Sequence, residues 1–162
     1  MTKEPNLVIT RIFQAPRELV FRAWTDPRHV AQWWGPKNFT APSIKIDFRK
    51  GGKFLYCMRA PDGQEYWNGG EFLEVEAPKR IVQVMYFSDA LGNKKLPTDI
   101  GFGPDFPAEM RDVITFEEAG PLQTKLTLVR SNPLSVSKKY MEDKGWGQSL
   151  DKFEEALRDL QK

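Results

Sequence analysis

Cysteine and histidine are almost absent from the chain: Cys57 and His29 are the only examples of each. One thiol excludes an intrachain disulfide, and one imidazole excludes a multi-histidine metal centre or a redundant Ser–His–Asp arrangement. Long apolar runs are lacking too. No stretch approaches the ~20 apolar residues of a membrane span. The opening MTKEPNLVIT has no basic segment leading into an apolar one, so it does not read as a secretory signal, and the expected location is the cytoplasm. Nor is there an excess of one charge. The 24 basic and 22 acidic side chains leave a net +2, which exerts little long-range pull on nucleic acid or an anionic membrane. The densest basic stretch, Lys45, Arg49, Lys50 and Lys53, brackets a strand–turn–strand junction and reads as a solvated rim. Gly101-Phe102-Gly103-Pro104 lacks the glycine spacing and following helix of a phosphate loop. No metal, no cofactor, no nucleic acid and no membrane insertion are expected.

What is plentiful is aromatic bulk: 11 Phe, 5 Trp and 4 Tyr in 162 residues. A chain of this length forms one domain and buries roughly 70% of its unfolded surface, so these rings share a single core. The reading is therefore one domain over residues 1–162.

The apolar pattern changes period along the chain. Leu7–Phe13 is β-branched and aromatic, a first strand. Pro16 then opens a helix carrying Leu19, Val20, Ala23 and Trp24 on one face, and Asp26-Pro27 caps a second that ends before Gly35-Pro36. From Ile44 to Arg130 the period is two. Ile44, Ile46 and Phe48 alternate with charged residues; Phe54, Tyr56 and Met58 follow the Gly51-Gly52 turn; further strands span about Glu65–Glu76 and Arg80–Phe87. The connections are too short for parallel crossovers, so the sheet is antiparallel. Ser88–Pro107 has no periodicity and reads as a mobile flap. A last hairpin, Met110–Glu118 with Thr124–Ser131, turns at Ala119-Gly120-Pro121. One long helix then runs from Asn132-Pro133 to about Leu160, with Trp146, Leu150, Phe153, Leu157 and Leu160 as its apolar stripe.

This order, together with Thr25-Asp26-Pro27, Ala31-Gln32-Trp33-Trp34-Gly35-Pro36, Gly51-Gly52-Lys53-Phe54, Ala60-Pro61-Asp62-Gly63 and Gly145-Trp146-Gly147-Gln148-Ser149-Leu150, resembles the SRPBCC/START-like superfamily, in the branch named after the activator of the Hsp-90 ATPase. The resemblance covers about residues 6–160. It implies an α+β helix-grip fold, with a curved antiparallel sheet of about seven strands wrapped around the long C-terminal helix and two short helices after the first strand. It also implies binding of small apolar molecules, or an interaction with a chaperone in a stress-response setting.

A sheet gripping one helix leaves an interior that side chains need not fill. An empty cavity costs about 24 cal/mol per Å³, so a dry ~300 Å³ pocket would cost on the order of 7 kcal/mol. That rivals the roughly 5–15 kcal/mol that stabilises a typical domain. With so many rings available, a small aromatic-lined cavity is expected rather than a lipid tunnel. Parity along the strands, with the helical stripe and the tryptophan after the second helix, gives the expected lining: Trp34, Phe54, Tyr56, Met58, Trp67, Met85, Ile114, Phe116, Leu128, Trp146, Leu150 and Phe153. Trp67 and Gly69 are placed opposite Phe54, Tyr56 and Met58. Of Trp33 and Trp34, one packs its helix onto the sheet and the other edges the cavity mouth. A turn at Gly120 sets Asp112 opposite Arg130 on the inward face, either as a buried pair near the cavity or as a half-solvated pair at the strand ends.

Three functions follow: a binding module for a small apolar or aromatic ligand, a chaperone-interaction module, or a cyclase- or hydrolase-like enzyme. For the last, only Asp112, Arg130, Glu71 or a tyrosine offers acid–base chemistry, and no nucleophile–base pair is visible from spacing; no catalytic residue is assigned. The expected state is a monomer or weak homodimer.

Overall fold

The computed structural model describes residues 4–162. The β-branched segment at the start forms β1 (Asn6–Phe13). Two short helices follow, α1 (Arg17–Thr25) and α2 (Pro27–Trp33). Asp26 starts the second by accepting the Arg28 backbone N–H at 2.9 Å, with Pro27 in the first turn where no N–H is needed. The meander comprises β2 (Thr40–Ile46), β3 (Lys53–Arg59), β4 (Glu65–Glu76), β5 (Arg80–Ser88), β6 (Met110–Gly120) and β7 (Gln123–Pro133). All pairings are antiparallel, in the order β1-β7-β6-β5-β4-β3-β2. Pro42 falls where the β2–β3 register shifts, on an edge strand where its missing N–H removes no ladder bond.

Two expectations about the backbone are corrected. The C-terminal helix is not continuous. It is split into α3 (Leu134–Lys139) and α4 (Glu142–Leu160) by Met141, which sits in the left-handed region at φ 58°. The apolar stripe belongs to α4 alone: Leu150, Phe153 and Leu157 are buried, with Trp146 and Leu160 half-buried at its ends. The segment after β5 is not structureless either. Ser88 bridges to Lys94, Asp89 accepts the Leu91 and Asn93 amides at 2.9 Å, and Pro97–Ile100 forms a single 3-10 turn. Phe106 within this segment is 5% exposed, so it behaves as a packed cap.

The core lies between the inner face of the sheet and the helices. Phe153 meets Phe13 and Trp33 edge-on, at 5.0 and 5.1 Å between ring centres. Trp33 is held in place by its indole N–H, which donates to the Ala23 carbonyl at 3.1 Å.

Candidate functional site

Where α4 begins, the sheet and helix diverge and leave a cavity of about 170 Å³. Its walls come from segments far apart in the chain. Trp34, Gly35 and Pro36 follow α2; Met58, Asn68, Met85, Phe87 and Met110 come from β3 to β6; Phe102 and Phe106 come from the cap; Tyr140, Gly145, Trp146 and Ser149 come from the end of α3 and from α4. Rings dominate. Phe102 stacks on Phe87 with centres 5.0 Å apart and touches Phe106 at 4.7 Å, while Tyr140 closes the same cluster. Trp146 stacks on Trp24 and meets Trp34 edge-on. The Trp34 indole N–H is buried without an acceptor. Gly145 keeps the rim open, with only Pro36 within reach of a β-carbon placed there.

One end of the cavity is ionic. Arg130, 4% exposed, holds fully buried Asp112 in a two-pronged pair, with Nε to Oδ1 at 2.7 Å and Nη2 to Oδ2 at 3.0 Å. Its Nη1 donates to Glu142 at 3.0 Å. Gln83 donates to Asp112 at 3.1 Å; Asn132 and Ser137 donate to Glu142 at 2.6 and 2.9 Å. Burial disfavours the guanidinium charge, but Asp112 and then Glu142 outweigh that effect and raise its pKa above the ordinary arginine value. The guanidinium carbon lies 5.4 Å from the Trp146 ring centre, a cation–π contact. Arg130 and Glu142 line the cavity, whereas Asp112 stands behind Arg130.

Five of the fourteen residues selected from the sequence therefore border this space: Trp34, Met58, Met85, Trp146 and Arg130. Phe54, Tyr56, Ile114, Phe116, Leu128, Leu150 and Phe153 are buried in the solid core below it. Burial alone pushes the Tyr56 phenol well above its ordinary pKa. Trp67 is on the wrong face. The connection Ala60–Gln64 has five residues, an odd number, so even-numbered residues of β3 meet even-numbered residues of β4. Asn68 thus faces Tyr56, Gly70 faces Phe54, and Trp67 faces Cys57 on the other face of the sheet, away from the cavity. Asn68 escaped the sequence reading through this parity, Phe102 and Phe106 because their segment has no period, and Tyr140 and Glu142 because the helix break was not foreseen. Glu71 is exposed on β4, away from the cavity.

Among the described residues no cluster of His, Cys, Asp or Glu could hold a metal, and no helix is long and apolar enough to cross a membrane. Cys57 is buried, and desolvation pushes its thiol up to about 11, where it is a poor nucleophile.

The family model described as "Activator of Hsp90 ATPase homolog 1-like protein" matches residues 14–158. The chain belongs to this family. Similar solved structures of family-like fold include a protein of Nitrosomonas europaea, at TM-score 0.76 and 23% identity, covering 99% of both chains. A Mycobacterium smegmatis protein is 26% identical at TM-score 0.74, covering 97% of this chain and 90% of that one. The AHSA1 protein of Silicibacter pomeroyi is 22% identical at TM-score 0.75, covering 94% and 97%. No curated protein sequence matches the chain. As an AHSA1-like domain it is an α+β helix-grip fold whose grip is left open at the head of α4.

Proposed function

We propose that the domain binds a compact apolar or aromatic molecule, of one or two rings, in the cavity at the head of α4. The observation that carries this is the cavity's size and lining: about 170 Å³ bordered by aromatic rings and methionines. An apolar cavity of ~150 Å³ suffices for benzene, whereas a lipid chain needs far more. The unpaired Trp34 N–H supports the same reading, because a buried donor costs about 1–3 kcal/mol until a ligand acceptor or ring face meets it. Methionine-rich walls adapt to irregular apolar shapes.

The test is a thermal-shift and NMR titration with one- and two-ring compounds. A binder at 100 times its Kd raises stability by about 2.7 kcal/mol. The same titration on Ser149→Leu, which fills the cavity from α4, is expected to show no shift. If no compound stabilises the wild-type protein, the reading fails.

A second reading, supported by the family description, is an interaction with an Hsp90-type chaperone. Pull-down against the chaperone of the same cell, scored by a change in ATP turnover, tests it; unchanged turnover rejects it.

A further inference from the structure

An arginine bordering an apolar cavity invites the expectation of a carboxylate ligand. Arg130 has little such capacity to spare. Of its five N–H groups, Nε and Nη2 serve Asp112, Nη2 also reaches the Met85 sulfur at 3.4 Å, and Nη1 serves Glu142, leaving one hydrogen free. Two carboxylates surround one guanidinium, so the cluster is formally −1 in a space where Asp112 is fully buried and the Glu142 side chain is 12% exposed. Glu142 sits in the first turn of α4, where the helix favours an anion, yet the roughly +0.5 charge of a helix N-terminus does not cancel a full negative charge. The surrounding ionic pairs, Lys139–Asp105 and Lys138–Asp143, balance themselves. The cluster is short of donors as well as of positive charge: Asn132 gives its N–H to Glu142, while its own oxygen is buried with no donor.

Resting on the binding reading above, we infer that the cavity selects a cationic ligand, a ring carrying a protonated amine, and rejects carboxylates. The ammonium lies at the Glu142 end, where its charge offsets the surplus carboxylate. The ring lies among Trp34, Phe87, Phe102 and Phe106, whose π faces favour a cation nearby.

Three probes of one size decide it: benzylammonium, benzyl alcohol and benzoate, titrated near pH 7 by NMR and tryptophan fluorescence. Benzylammonium is expected to bind about tenfold tighter than the alcohol, and benzoate not at all. Glu142→Gln should erase the preference for the ammonium over the alcohol, and Ser149→Leu should abolish binding of all probes. Benzoate binding as tightly as benzylammonium, or an ammonium no better than the alcohol, overturns the charge inference while the binding reading stands. If none of the three binds, the binding reading falls and this inference with it. Ammonium binding that survives Ser149→Leu places the cation on the surface and also overturns the inference. The wild-type series fixes the sign of the preference even if Glu142→Gln does not fold.

Discussion

Arg130 is the residue on which the polar end of the cavity depends. Its replacement by Met leaves Asp112 and Glu142 without their shared counter-charge. Breaking a buried ion pair costs about 3–5 kcal/mol. Arg130→Met is expected to lose that much in urea denaturation at pH 7, and adding Asp112→Asn should recover part of the loss by removing one stranded charge. No recovery in the double variant would mean that shape, not charge, matters there. Cys57 supplies the second prediction at this scale. Burial holds its thiol at about 11 against an ordinary 9.0, and the buried Tyr56 phenol is raised too. Groups whose pKa is higher in the folded state stabilise fully below their unfolded pKa. That contribution fades as pH rises from about 9 through 11. Stability should fall over this window, and Cys57→Ala should fall less steeply; equal slopes would show that the thiol is not the titrating group.

At the scale of elements, the cap over the cavity is tied to the helix break. The Tyr140 hydroxyl accepts the Gly103 amide at 2.9 Å and donates to Asp105 at 2.7 Å, and Lys139 pairs with Asp105 at 2.9 Å. A continuous helix would carry Tyr140 round with the next turn; the left-handed Met141 holds it beside the cap instead. Tyr140→Phe keeps the ring in the Phe102–Phe106 cluster but removes both hydrogen bonds. Amide exchange at residues 101–106 should accelerate, while exchange in β6 and β7 stays unchanged. Acceleration across the whole sheet would show global loosening rather than release of the cap. These contacts were not legible in the chain, because Phe102 and Phe106 follow no period and Met141 is not a residue type that favours φ above zero. The β6–β7 register was legible, because the hairpin is short and the sequence marks its turn with Gly120-Pro121. The β3–β4 register was misread by one residue, and one residue moves Trp67 from the inside to the outside.

For the molecule as a whole, the cavity opens to solvent, so its rings and methionines stay in contact with water and forgo roughly 25 cal/mol for each Å² left unburied. Ser149→Leu should therefore raise the melting temperature of the free protein by a few degrees, since Ser149 is buried and faces this space. A lower melting temperature would indicate that the wall is already closed there.

Composition and period alone determined that this chain makes one antiparallel sheet with two short helices after its first strand and an apolar helix at its end. Those features depend on neighbours close in the chain: alternation, Asp26-Pro27 caps and short turns. The cavity depended on tertiary structure. Its walls come from residues 34 to 149, and whether Arg130 meets one carboxylate or two was decided by where a helix restarts after Met141. Packing between distant segments sets that position, and no local pattern encodes it.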